Sequence, residues 1–196
     1  MDKSVQHKIY KYLREELDTD RYIHSMGVAY TAASLAMTWD YPVENALIAG
    51  LLHDCAKNIP NDKKILLCDK NHIPITPMER KNPFLIHGRL GAYITEDKFD
   101  IHEREILDSI IYHTTGRPEM TLLDKIIYIA DYIEPNRHKA ANLAIYRKLA
   151  FQDLDETLYR IMQDVLVYLQ QSGGEIDDMT QQAYTYYDQQ RRLQNG

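Results

Sequence analysis

Residues 46–58 read ALIAGLLHDCAKN. Ala46, Leu47, Ala49, Leu51, Leu52 and Cys55 surround the helix they predict on most of its sides, so it is an interior element rather than one lying on a surface. Yet it closes on His53 and Asp54, with Lys57 one turn later. A carboxylate at the inner end of a buried element is costly without a partner. The stretch therefore predicts helices packed around helices, and a compensating charge beside Asp54.

Outward from there, apolar residues recur at helical spacing almost everywhere, and no alternating segment bounded by turn residues predicts a strand. The fold class is all-α. Helices are expected near 3–17, 20–38, 43–57, 61–70, 83–97, 102–114, 120–135, 142–172 and 177–194, with a Pro-containing connection, IPITPMERKNP, before residue 83. Asp20, Asn61 and Thr121 are the expected caps, and Ser172-Gly173-Gly174 the expected stop. The Tyr- and Gln-rich tail reads as a packing and solubility element. A chain of 196 residues suits one core better than two, so a single domain over 1–196 is expected, with its motifs in about 20–137 and C-terminal helices over about 142–195.

The formal net charge of −6 and a pI of about 5.7 argue against broad binding to nucleic acid, which needs a basic stripe, but allow a small anion in a local basic pocket. No segment approaches the roughly 20 apolar residues of a membrane span. Cys55 and Cys68 have no paired spacing and read as reduced thiols, so a soluble cytoplasmic protein is expected.

The oddity at Asp54 recurs in IIYIADYIEPNR, residues 126–137, where Asp131 interrupts another apolar helix. His24 stands in the Met- and Ala-rich helix RYIHSMGVAYTAASLAM. Two imidazoles and two carboxylates, His24, His53, Asp54 and Asp131, suit a metal: iron, manganese, cobalt or zinc. Adjacent residues point about 100° apart on a helix, so His53 and Asp54 meet one ion only from its side, and other helices must complete the set. Lys57, three residues after Asp54 and four after His53, shares their face and is assigned to phosphate. FLIHGRLGA and YHTTG place His87 and His113 in apolar surroundings as ligands of a second ion or donors to phosphate. His7, His72, His102 and His138 read as surface groups, and neither Tyr112 nor Tyr132 is assigned a stacking role.

RYIHSMGVA (21–29), HDCAKN (53–58) and YHTTGRPEMTLLDKIIYIADYIEPNR (112–137) together resemble the HD-domain phosphohydrolases, and within them the YqeK-type branch, the bacterial symmetrical diadenosine tetraphosphate hydrolases. The resemblance implies an HD-domain helical bundle with iron held by His24, His53, Asp54 and Asp131. It also implies hydrolysis of a dinucleoside polyphosphate by metal-activated water at an inner phosphorus, giving two ADP. On this reading Asp54 orients the water, and Lys57, His87, His113 and Arg137 stabilise the phosphoryl charge. Arg21 and Thr114 join them in binding substrate. A homodimer is left open. The rival readings are another HD nucleotide phosphohydrolase, a nucleotidase or guanosine alarmone hydrolase, and a non-catalytic module that binds metal or nucleotide and signals through a partner.

Overall fold

A computed structural model describes residues 3–173 and 175–195, and every regular element among them is helical. In chain order these are α1 (Lys3–Glu16), α2 (Thr19–Thr38), α3 (Val43–Leu52), α4 (Asn61–Lys70), α5 (Pro77–Lys81), a short 3-10 turn (Pro83–Ile86), α6 (His87–Phe99), α7 (Arg104–Tyr112), α8 (Leu122–Ile133), α9 (Leu143–Leu149), α10 (Leu154–Ser172) and α11 (Asp178–Asn195).

α3 is the interior helix that its composition predicts: Ala46, Ala49, Leu51 and Leu52 are wholly buried, between α2, α7 and α8. Burying each leucine contributes about 1.5–3 kcal/mol relative to leaving it in water. α2 meets α3 through a face of small residues, Val28, Ala29, Ala32 and Ala36. At their crossing a Cβ on Gly50 would sit 2.7 Å from the Ala29 Cα, so only glycine permits this approach. α8 then packs on α2, α7 and α10, which brings the C-terminal helices onto the same bundle.

Several expected boundaries move, each for a local reason. Asp18, not Asp20, caps α2: its carboxylate accepts from the Arg21 amide at 2.8 Å and from the Asn58 side chain at 2.6 Å, tying the helix start to the turn after α3. Thr121 does cap α8, in a reciprocal capping box with Asp124. Asn61 is the first residue of α4, with Pro60 before it, and its side-chain oxygen serves Lys64 rather than the helix amides. The expected connection contains α5, started by Thr76-Pro77 with Glu79 completing a capping box, a signature the hydrophobic pattern does not register. The expected helix over 142–172 is two helices, because Asp153 caps a new one by accepting from the Glu156 amide. α10 ends at Gly173, in the left-handed region.

The change that matters most for function is at the end of α3. The regular helix stops at Leu52, and residues 53–58 continue as tight turns, with the Cys55 amide bonded to the Leu52 carbonyl and the Lys57 amide to that of Asp54. Gly50→Ala is expected to cost about 1–3 kcal/mol through overpacking against the α2 backbone. A urea titration should show a lower midpoint with an unchanged slope.

Candidate metal centre and its cleft

The turn after α3 drives His53 and Asp54 into the centre of the bundle, where both are buried. His24 arrives from α2, His87 from the first residue of α6, His113 from the residue after α7, and Asp131 from the last turn of α8. His24 Nε2 lies 3.0 Å from Asp131 Oδ1 and 3.3 Å from His53 Nε2. His87 Nε2 lies 3.0 Å from His113 Nε2, and Asp54 Oδ1 stands 3.2 Å from the first and 3.5 Å from the second.

Backbone contacts fix which ring nitrogens carry protons. The Nδ1 atoms of His53, His87 and His113 lie 2.7, 2.6 and 2.7 Å from the carbonyl oxygens of Gly50, Phe84 and Ile110. A carbonyl only accepts, so each Nδ1 is the donor and each neutral ring turns an Nε2 lone pair inward. Burial pushes His53 down to about 3 and His87 down to about 4, so both are neutral near pH 7. Facing lone pairs at these distances repel unless a cation or a proton lies between them.

His24 differs. Burial lowers its pKa, but Asp131 on Nε2 and Glu134 on Nδ1, at 3.1 Å, outweigh burial and raise it. A proton on His24 occupies a position a cation could take. Burial likewise raises Asp131, yet His24 and Arg137 hold it well below the usual carboxylate range, and Asp54 meets the Arg21 guanidinium and the Lys57 ammonium. Asp54 Oδ1, buried in this anionic centre, has no hydrogen bond of proper geometry.

Two groups of donors are placed to hold a metal ion: His24, His53 and Asp131, and His53, Asp54 and His113, the ligand atoms of each lying within 4.8 Å of one another. An orphaned carboxylate oxygen and inward lone pairs on a mixed imidazole and carboxylate set fit a divalent transition metal. The four residues expected as one ligand set lie together, Asp54 Oδ2 standing 3.9 Å from His24 Nε2 and 3.6 Å from His53 Nε2, and His113 stands beside Asp54 as a further donor.

The expected phosphate groups lie around this centre. Arg21 donates to Asp54 Oδ2 at 2.6 Å. Lys57 Nζ stands 3.4 Å from Asp54 Oδ1 and 3.0 Å from His87 Nε2. Thr114 Oγ1 is 3.0 Å from His113 Nε2. Arg137 grips Asp131, donating at 2.8 Å to its carboxylate and at 3.2 Å to its carbonyl. His87 and His113 turn their Nε2 atoms toward Asp54. His7, His72, His102 and His138 are exposed. Tyr112 stacks on Arg117, and Tyr132 lines the cleft.

The centre opens into a cleft of about 850 Å³, bounded by His113, Thr114, Asp131 and Arg137 on one side and by α10 on the other. Sequence reasoning passed over Lys139, which lines it, and Glu134, which orients His24. Glu134 is 1% exposed, and its other oxygen accepts from the Asn136 amide at 2.7 Å. A Cβ on Gly27 would collide with that carboxylate, so glycine there makes room for it. The available signal was spacing: Glu134 follows Asp131 by one helical turn.

A helical bundle that turns imidazoles and carboxylates inward at helix ends defines a metal-dependent hydrolase of the HD type, and an HD domain family model matches residues 21–136. A symmetrical bis(5'-nucleosyl)-tetraphosphatase of Bacillus subtilis is 39% identical over 157 residues, 80% of this chain and 83% of that protein. Another, of Staphylococcus aureus, is 33% identical over 183 residues, 92% of this chain and 93% of that protein. A crystal structure described as a predicted HD superfamily hydrolase involved in NAD metabolism, from Clostridium acetobutylicum, is 38% identical, superposes with a TM-score of 0.90, and covers 94% of this chain and 97% of its own. The chain belongs to the HD-domain family and, within it, to the YqeK-type group of these tetraphosphatases.

Glu134→Gln keeps the side chain's shape but removes the charge that orients His24. Metal affinity, read by competition with a chromogenic chelator, is expected to fall about 10- to 100-fold while the circular dichroism stays that of the native chain.

Proposed function

We propose that the protein hydrolyses diadenosine tetraphosphate symmetrically into two ADP in the cytoplasm, with residues 1–196 acting as one domain. The observation that carries this is the convergence of His24, His53, His87, His113, Asp54 and Asp131, with Lys57 among them, beside a cleft lined by His113, Asp131, Arg137 and Lys139. The names of the relatives support the substrate.

His24, His53, Asp54 and Asp131 would hold the metal ion, with His113 beside Asp54 as a further donor. Iron is the ion we assign, because mixed nitrogen and oxygen donors suit it and the family resemblance implies it. When bound, it supplies the Lewis acidity that makes water a nucleophile near neutral pH.

The chain's own groups do the rest. Asp54, ionised and with Oδ1 lacking a hydrogen bond, accepts a proton from the attacking water. The lone pair of His87 receives an N–H of Lys57 and so aims the ammonium at the phosphoryl oxygens. Arg137 and Lys139 neutralise the charge that develops as the bond between the two inner phosphates breaks, and Arg21 keeps Asp54 oriented. Water adds to one inner phosphorus, its oxygen stays in one ADP, and the other ADP leaves.

In oxygen-18 water, mass spectrometry should find one labelled oxygen shared between two ADP products; ATP with AMP would reject the symmetric cut. His53→Ala should lose bound metal and turnover together. Lys57→Ala should retain its metal while kcat falls by about 10²-fold or more.

A further inference from the structure

The cleft has walls of different character. Arg137, which holds Asp131, and Lys139 line one; α10 and the residues after it add Asp164, Glu175 and Asp177 to the other, Glu175 being paired with Lys81. Phosphoryl oxygens are attracted to the cation beside Asp131, so a nucleotide binds with its phosphates at the metal centre. The α10 wall then faces the part of the ligand that carries donors instead.

That wall is also apolar. Val165, Tyr168 and Leu169 stand at positions i, i+3 and i+4 of α10 and turn into the cleft, while Leu158, Ile161, Met162 and Leu166 of the same helix are buried in the bundle. Tyr168 is 69% exposed and Phe84, on the cleft wall contributed by the 3-10 turn, is 54% exposed. Asp164 is held in place beside them, accepting from the Tyr146 hydroxyl at 2.6 Å and from Asn142 at 2.8 Å. Aromatic faces suit a purine, and neighbouring carboxylates accept from ribose hydroxyls or an exocyclic amine.

We infer that α10, through Tyr168, seats the nucleoside of the substrate, so that the C-terminal helices supply base recognition to a centre built by α2, α3 and α6–α8. This deepens the reaction proposed above and rests on it for the substrate, but its test does not depend on cleavage. Binding of ADP and of inorganic pyrophosphate is measured by calorimetry on manganese-loaded native, Tyr168→Ala and Tyr168→Phe proteins. The alanine variant should bind ADP about tenfold more weakly, the order of one base–aromatic stack, and pyrophosphate within about twofold of native. The phenylalanine variant should match native for both. An alanine variant that binds ADP normally, one that loses both ligands equally, or a native protein that binds no ADP overturns the seat. Native protein that binds ADP through Tyr168 yet leaves diadenosine tetraphosphate uncut supports the seat and rejects the reaction.

Discussion

The structure depends on a concentration of unshared electron pairs in a place without water. The Nε2 atoms of His24 and His53 stand 3.3 Å apart, those of His87 and His113 3.0 Å apart, with the Asp54 carboxylate between the two pairs. Hydrophobic packing cannot stabilise such an arrangement; the low dielectric of the interior makes every unmatched charge there more expensive. Arg21, Lys57 and Arg137 each approach the carboxylates from the rim, yet Asp54 Oδ1 remains without a hydrogen bond. The remaining imbalance is of the kind that a divalent cation relieves.

One local device builds most of the centre. A helix end leaves its last carbonyls without amide partners. His53 follows α3 and bonds Gly50 in its last turn, His113 follows α7 and bonds Ile110, and His87 follows the 3-10 turn and bonds Phe84. In each case the ring three residues downstream satisfies a carbonyl, fixes its own tautomer and aims Nε2 inward through the same hydrogen bond. Three helix ends thus supply three oriented donors without drawing on any other side chain. His24, in mid-helix, has no orphan carbonyl within reach and is oriented by the Glu134 carboxylate instead.

This division explains what was legible in the sequence. The all-helical fold was legible because buried helices such as α3 are apolar all round, and the gathering of His24, His53, Asp54 and Asp131 because polar groups inside such helices are conspicuous. The approach of His113 to Asp54 was not, since it depends on α3 ending at Leu52 rather than running to Lys57. The rotamer and proton position of His87 and His113 were equally hidden: a sequence gives a histidine, and only the distance to a carbonyl tells whether it offers a proton or a lone pair. Glu134 and Lys139 were overlooked beside stronger neighbours, Asp131 and Arg137. The contribution of α10 to the cleft was invisible because Val165, Tyr168 and Leu169 have the spacing of ordinary core residues and become a wall only when α10 is laid across α8.

The overall charge of −6 opposes the approach of a polyphosphate, and the distribution of the cations shows how the molecule answers it. At physiological ionic strength a field decays over about 8 Å, so surface acids on the far side of the bundle have little influence inside the cleft. Arg137 and Lys139, lining it, act at contact distance, where screening is weak, and Lys57 stands beside His87 and Asp54. Attraction is thereby concentrated on ligands that reach these cations, which a uniformly basic surface would not do.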